Sequence, residues 1–507
     1  MLQVPVQVLR CAGRRAAAAR KAGSRPAVAW LSNRQQQYSS NAPDDHAEHH
    51  EATDASVPEP SSTSTGGKEE MTPLVKHLHD MIKFSGPLSV AQYMRQALTN
   101  PLGGYYMQQQ VFGARGDFVT SPEISQMFGE LVGVWFMTNW MKLGMPSTVQ
   151  LVELGPGRGT LMADMLRALR SFSAFQGVKY RVVFVEASPR LRNEQMATIV
   201  RDTGRTVAKE HHNQFDSLEH VTFTDGFEVH WKENIVDIEH DDHTMLVAHE
   251  FFDALPVYKF KHVDGEWREI MVDVDESTET CANTLHFLSL PVTSADDHAF
   301  PAVTSPHHFR YVLAPQKTNA VGTLIDATDR YNDLPDGATV EVSPESTGYM
   351  QRIGDLLTKT GGTALVVDYG SDHPAAASLR AIRDHQFTDL FSTPGQADLS
   401  VDVDFSLLKW ALEKHDGVRA FGSTTQRHFL ASLGIYDRMQ ALVQAAGADP
   451  AAQRVVKSAF NRLISAKEMG TVYKCLAVTD AQYDGVPVGF ERADFPPAPS
   501  SATMHRQ

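Results

Sequence analysis

The stretch LVELGPGRGTLMADMLRALRSF, beginning at Leu151, sets three glycines in five residues between an apolar run and a helical pattern. A strand that feeds a helix through a glycine turn presents backbone N–H groups at a helix N-terminus, where anionic or nucleotide-like ligands sit. The order of elements around the turn agrees. Residues 149–154 read as a strand, 160–172 as a helix, 180–187 (YRVVFVEA) as a second strand and 191–200 as a helix. Residues 220–224 are a candidate third strand, and 244–249 (TMLVAH) a fourth, followed by FFDALP. Strands alternating with helices predict a doubly wound, mainly parallel α/β sheet.

At 507 residues the chain needs two or more domains, or one domain with large insertions. Residues 1–43 hold seven cations, Arg10, Arg14, Arg15, Arg20, Lys21, Arg25 and Arg34, and no acid before Asp44. A basic, Ala/Ser-rich, acid-free N-terminus predicts a mitochondrial transit peptide. Residues 44–71, rich in His, Ser, Thr and Glu, read as a linker without a packed core. Residues 72–147 form an N-terminal helical cover. There, 89–98 is a short amphipathic helix, and Thr120 with Glu123 makes a capping box ahead of an apolar stripe from Ile124 to Phe136. The core then runs over 148–256. Residues 257–340 break its rhythm with a hairpin around Asp264-Gly265 and another strand at FRYVLAP, a β-rich insertion. The core resumes over 341–480 with a loop-rich and helical insertion, and 481–507 is a Pro-rich tail.

Composition excludes several classes. Cys11, Cys281 and Cys475 are scattered, without a CxxC pair, so neither a disulfide framework nor a cysteine zinc site is expected. The net charge of −15 argues against nucleic acid as a partner and allows cationic ones. No apolar run approaches the roughly 20 residues that span a bilayer. HDDH at 240–243 lacks a helical H-x-x-x-H or a cysteine partner, so no metal is expected there. No G-x-S-x-G elbow occurs, which disfavours a hydrolase.

Three nucleotide readings compete for the glycine turn. A P-loop requires GxxxxGK[ST] and fails for want of the lysine. A dinucleotide fingerprint requires G-x-G-x-x-G/A, and Gly155, Gly157 and Gly159 give G-x-G-x-G, with Thr160 in the sixth place. The third ligand is S-adenosyl-L-methionine, which has no pyrophosphate but an amino acid, a sulfonium and an adenosine. Glycines let the backbone approach it closely. Glu153, at the end of the first strand, would meet its ammonium. Glu186, at the end of the second, can accept from both ribose hydroxyls. A plain tight turn and a solvated strand end are the competing structural readings.

ELGPGRGTLMADMLRAL and FVEASPRLR resemble the first two motifs of a class I methyltransferase. With GDFVTSPEISQMFGELVGVW, AHEFFDALPVYKF, LVVDYG, DLSVDVDFSLL, TTQRHFLASLGI and MGTVYKCLAV, the chain resembles the MidA-type family of mitochondrial protein arginine methyltransferases, in order from about Pro73 to Thr479. The resemblance implies a class I, Rossmann-like methyltransferase fold with S-adenosyl-L-methionine as donor. It further implies symmetric dimethylation of an arginine on a core peripheral-arm subunit of respiratory complex I, in the mitochondrial matrix, as a step in complex I assembly. Two places depart from the family. His249 stands where the family usually has Asn, and WKENIVDIEHDDHT lacks the expected Pro/Gly pattern. A methyltransferase-fold scaffold that binds an assembly intermediate without catalysis is the alternative.

Arginine stays protonated, so its methylation needs carboxylates that clamp the guanidinium and draw charge from the attacking nitrogen. Glu250 and Asp253, after the fourth strand, are the candidates, since ligands of such sheets sit outside the carboxyl ends of strands. Asp253 competes for a turn-capping role. Asp368 ends another strand. Phe251 and Phe252 are expected beneath the site, and the resemblance puts Tyr105, Tyr106, Ser121 and Glu123 over the cofactor. The β-rich insertion follows directly on this loop and is expected to hold the substrate.

Overall fold

The structure is a computed structural model and describes residues 71–107, 120–275 and 309–491, apart from positions 215, 385, 393 and 414. The transit peptide, nearly all of the linker, most of the tail, and Cys11 and Cys281 lie outside the described residues. Its centre is a large sheet whose strands follow the spatial order Val418–Thr425, Tyr473–Asp480, Gly362–Ser371, His243–His249, Thr148–Leu154, Lys179–Val185, Glu228–Lys232, Leu218–Phe223 and Val207–His212. The five from Gly362–Ser371 to Glu228–Lys232 pair in parallel, and Tyr473–Asp480 runs antiparallel between its two neighbours. Successive crossovers from Thr148–Leu154 go first to one side and later to the other. The carboxyl end of that strand is therefore a topological switch point, where such sheets bind ligands.

The apolar residues of these strands alternate between two cores, as a sheet covered on both faces requires. Val149, Leu151, Met245 and Val247 face one core; Val152, Leu154, Leu246 and Ala248 face the other. Helices Gln126–Lys142 and Thr160–Ser171 cover the first face, and Pro344–Thr360 lies against the second. Gln126–Lys142 is buried almost all round, and its approach to Thr160–Ser171 is unusually close at Gly129 and Gly133.

Some expectations change. Thr120 makes no side-chain cap, so the Thr120–Glu123 capping box does not form. Ser125 is extended instead, and its hydroxyl accepts from Met127 N at 3.1 Å, starting the long helix five residues later than expected. The third parallel strand is Glu228–Lys232, while Leu218–Phe223 pairs antiparallel beside it. EVHWK is short and buries only Val229 and Trp231, which leaves little apolar signal.

A second, antiparallel sheet is built from Tyr258–Val263, Glu266–Val274, Phe309–Leu313 and Thr339–Val342. The two-residue strand Leu88–Ser89, from the N-terminal segment, pairs with Glu266–Val274. Helices Pro73–Ser85 and Val90–Thr99 pack on this sheet through Leu78, Tyr93 and Met94 against Val272 and Phe309. Ser89 and Gln92 complete a reciprocal capping box. No helix among the described residues is long and apolar enough to cross a membrane.

Candidate active site

Gly155, Gly157 and Gly159 all lie in the left-handed region, with φ of 58°, 51° and 75°. L side chains rarely enter that region, so the turn depends on glycine. At Gly155 a Cβ would also lie 2.9 Å from Phe251 Cδ2. Gly155 N donates to Val185 O at 3.1 Å, tying the ends of the first two parallel strands together, and Gly159 leads into helix Thr160–Ser171.

Glu153 is 3% exposed, and its Oε2 has no hydrogen-bond partner. Burial pushes its pKa well above the usual carboxylate range, against a backbone N–H from Met162 that favours the anion. The unpartnered Oε2, buried at a strand end, is costly unless something answers it. A ligand's ammonium group would do so.

Glu186 is half-buried at the end of Lys179–Val185. Its Oε1 accepts from Ser188 N at 2.8 Å, and its Oε2 from Gln195 Nε2 at 3.1 Å. Its backbone is fixed from both sides: Glu186 N donates to Lys232 O at 2.9 Å, and Arg192 Nε donates to Glu186 O at 2.9 Å. Each carboxylate oxygen keeps a lone pair for a further donor such as a ribose hydroxyl. Three glycines that open the backbone, a buried carboxyl with one unpartnered oxygen and a poised acceptor pair suit S-adenosyl-L-methionine.

The acidic half begins where strand His243–His249 ends. Glu250 has φ +49°, an uncommon conformation for a residue with a side chain. Glu250 N donates to Val367 O at 3.0 Å. Asp368, fully buried on the neighbouring strand, then accepts at Oδ2 from Phe251 N, Phe252 N and Asp253 N at 3.2, 3.0 and 3.3 Å. Asp368 is thus the anchor of the turn that aims Glu250, with all three of those donors turned inward.

Glu250 Oε1 accepts from Tyr473 Oη at 2.8 Å, and the Ser121 backbone N–H also faces its carboxyl. Burial, then Asp253 and Glu123, push the Glu250 pKa up to about 8. Asp253 Oδ2 accepts from the Tyr369 hydroxyl, while its Oδ1 is buried and unpartnered. Burial raises the Asp253 carboxyl to about 6, against the Tyr369 hydrogen bond and the Arg380 charge. His249 Nε2 lies 3.7 Å from Glu250 Oε1, but burial lowers its pKa to about 3, so the imidazole is neutral and the two are not an ion pair. Among the described residues, no Lys or Arg forms an ion pair with Glu250 or Asp253. The cluster carries an excess of acid and is suited to receive a cation.

The remaining candidates divide. Phe252 is buried beneath the turn; Phe251 lies over Gly155 and meets Tyr349 edge-on with centroids 4.9 Å apart. Ser121 and Glu123 belong to the acidic half through Glu250. Tyr105 is buried against Tyr106, whose hydroxyl donates to Asp398 Oδ1 at 3.0 Å near Asp253. Of the 240–243 loop, Asp242 pairs with Arg181 at the opposite end of the sheet. Three participants escaped the sequence reading: Tyr369, Tyr473 and Gln195. Gln195 carried a usable signal, a polar residue four positions after Leu191 and four before Ile199 on the inward face of its helix.

Residues 131–424 match the family described as "Putative S-adenosyl-L-methionine-dependent methyltransferase". A zebrafish (Danio rerio) protein named protein arginine methyltransferase NDUFAF7, mitochondrial, is 36% identical over 409 residues, 80% of this chain and 86% of its own. The human protein of that name is 34% identical, over 83% and 87%. The Drosophila melanogaster homolog is 37% identical, over 85% and 90%. A Burkholderia thailandensis crystal structure with S-adenosyl-homocysteine bound shares the fold at a TM-score of 0.61 and 23% identity, covering 83% of this chain and 94% of that one. The glycine turn, the acceptor pair at Glu186 and these relationships converge: the chain belongs to the S-adenosyl-L-methionine-dependent methyltransferase family that includes the mitochondrial protein arginine methyltransferases, and S-adenosyl-L-methionine is its cofactor.

Proposed function

We propose that this chain is a protein-arginine N-methyltransferase of the mitochondrial matrix. Its substrate is an arginine on a core peripheral-arm subunit of respiratory complex I, converted to symmetric dimethylarginine during assembly of that complex. The names of the relatives support the arginine substrate and the mitochondrion. The observation that carries the reading is the pair of buried Asp253 and largely buried Glu250, whose side chain is 12% exposed, to which no Lys or Arg is ion-paired among the described residues.

Glu153, Gly155, Gly157, Gly159 and Glu186 hold the cofactor: Glu153 its ammonium, the glycines its backbone-facing side and Glu186 its ribose. The bound cofactor supplies an electrophilic methyl group on a sulfonium. Glu250 is the principal clamp on the guanidinium and Asp253 the second, a bidentate recognition that draws positive charge from the reacting nitrogen. As the N–C bond forms and the methyl–sulfur bond breaks, leaving a thioether, that nitrogen must shed a proton. Glu250, whose pKa sits near 8 without substrate, is the group placed to take it. Tyr473 orients Glu250, and Asp368 holds the turn. The antiparallel sheet that follows the Glu250 loop contributes to holding the protein substrate.

The test uses the chain from Asp44 onward, labelled cofactor and peripheral-arm subunits from mitochondria lacking this protein. The wild type transfers label to arginine. Glu186→Ala loses cofactor binding by calorimetry, whereas Glu250→Gln binds cofactor and transfers no label. Tight cofactor binding by a wild type that labels nothing would move the assignment to a scaffold.

A further inference from the structure

Between the glycine turn and Glu186 stands one side chain that touches both. Gln195 is fully buried in helix Pro189–Thr203. Its Nε2 donates to Gly157 O at 2.7 Å and to Glu186 Oε2 at 3.1 Å. Its Oε1 accepts from Trp231 Nε1 at 2.8 Å. Those partners leave the amide a single orientation. An indole N–H only donates, so the oxygen must face Trp231; a carbonyl and a carboxylate only accept, so the NH2 must face Gly157 and Glu186. Turning the amide over would set donor against donor and acceptor against acceptor in a buried place, at the cost of all three bonds.

The rest of the helix reinforces the same register. Its N-terminal Ser188 N–H takes Glu186 Oε1, and Arg192 takes the Glu186 carbonyl. Gln195 also packs against Gly159, where a Cβ would meet Gln195 Cα and Cγ at 3.4 Å. The two ends of the cofactor pocket come from different strands, and Trp231 comes from a third, Glu228–Lys232.

We propose that Gln195 is the positioning residue that locks the glycine turn and the Glu186 carboxylate into one register, with Trp231 setting its amide. Through this lock the pocket selects ligands bearing ribose hydroxyls. The proposal rests on the assignment of Glu186 as ribose acceptor. With Oε2 already held by Gln195 and Oε1 by Ser188, the carboxylate cannot rotate freely, and its remaining lone pairs point in fixed directions. Without Gln195, Oε2 loses its fixed partner and the part-buried Gly157 O loses this donor, so ribose recognition suffers more than recognition of the amino-acid end.

The test is calorimetry on the purified chain from Asp44 onward with S-adenosyl-homocysteine and its 2′-deoxy counterpart, each variant being checked for native circular dichroism. The wild type prefers the ribose ligand. Gln195→Met lowers affinity for S-adenosyl-homocysteine by about ten- to thirty-fold, the loss expected when a hydrogen bond to a charged group goes. The same variant loses only a few-fold for the deoxy ligand, so discrimination collapses. Trp231→Phe, which keeps Gln195 but frees its amide, gives a smaller collapse in the same direction and carries the test if Gln195→Met does not fold. Equal losses for both ligands, or unchanged discrimination in a folded variant, overturn the proposal while leaving Glu186 in place. A wild type that does not discriminate, with Glu186→Ala binding normally, overturns the Glu186 assignment and this proposal with it.

Discussion

Tyr473 donates a 2.8 Å hydrogen bond to Glu250, a residue 223 positions earlier in the chain. The two meet because strands Tyr473–Asp480 and His243–His249 both flank Gly362–Ser371. Next to it, Tyr369 donates to Asp253, and the two tyrosine rings meet edge-on with centroids 5.6 Å apart. Each site carboxylate thus has its own phenol, and neither has a lysine or arginine in an ion pair among the described residues. That composition has consequences for stability and pH that can be measured without knowing the substrate.

Glu250 is protonated more readily in the folded chain, near pH 8, than at its ordinary value of 4.5. A folded-state pKa raised in this way means that the folded chain binds the extra proton between those values. The stabilisation is therefore full below about pH 4.5 and lost as pH rises toward 8. Glu250→Gln removes the titration but keeps an acceptor for Tyr473. Thermal unfolding should show wild type and variant nearly equal near pH 5, with the variant more stable at pH 9 by on the order of 2 kcal/mol. A wild type that is the more stable of the two at pH 9 would refute a Glu250 carboxyl whose charged form the fold disfavours.

Asp368 accepts three backbone N–H groups of the turn at once, so its removal strands donors rather than a single bond. Asp368→Ala should cost about 2–4 kcal/mol, more than one exposed hydrogen bond supplies. Cofactor binding should survive, because the proposed cofactor ligands Glu153, the glycine turn and Glu186 lie on other elements. Unfolding in urea with calorimetry of S-adenosyl-homocysteine separates the two effects. Loss of affinity without loss of stability would make Asp368 a ligand-binding group instead of an anchor.

Gly155 joins the two halves through Phe251. Gly155→Ala carries two penalties, a left-handed φ of 58° and a Cβ 2.9 Å from the Phe251 ring. It should weaken cofactor binding about ten-fold or more, on the scale of the roughly 1–3 kcal/mol that such strain costs. Pairing it with Phe251→Ala relieves the contact and not the φ. The double variant should recover part of the affinity, and calorimetry on all four proteins gives the coupling. Full recovery would show that the ring contact, not the backbone, requires glycine here.

The candidate cofactor half was legible in the sequence as strand, turn and helix because its signals are local. An apolar run, GPGRG and a helix pattern fix strand, turn and helix within 22 residues, and Glu186 follows at the next strand end. The acidic half was legible only as residue types. Nothing near Glu250 reveals that its turn hangs from Asp368, more than 110 positions on, or that Tyr473 closes the site from the last strand. Glu228–Lys232 was missed for a different reason: a five-residue strand between polar turns carries too little apolar periodicity. The one helix implied from Thr120 is two: Thr120 precedes a four-residue helix, Ser121–Ile124, without a side-chain cap, and the extended Ser125 separates it from the long helix.

Helix Gln126–Lys142 offers a test in which the sign of the effect decides. Its Gly129 lies so close to Thr160–Ser171 that a Cβ would fall 2.5 Å from Asp164 Cβ, and at Gly133 a Cβ would lie 3.0 Å from Ala168 Cβ. On an exposed helix surface, Gly→Ala stabilises by about 1 kcal/mol, because alanine is the better helix former. Here overpacking opposes that gain and should prevail at about 1–3 kcal/mol. Gly129→Ala should therefore destabilise the chain, and Gly133→Ala less so, in denaturant unfolding. The effect should also reach the site: the preceding residue, Phe128, packs on His249 with ring centroids 4.9 Å apart, next to Glu250. A displaced helix shifts that ring, so Gly129→Ala should lower methyl transfer more than cofactor affinity. A stabilised Gly129→Ala would mean that the two helices do not approach as closely as the glycines allow.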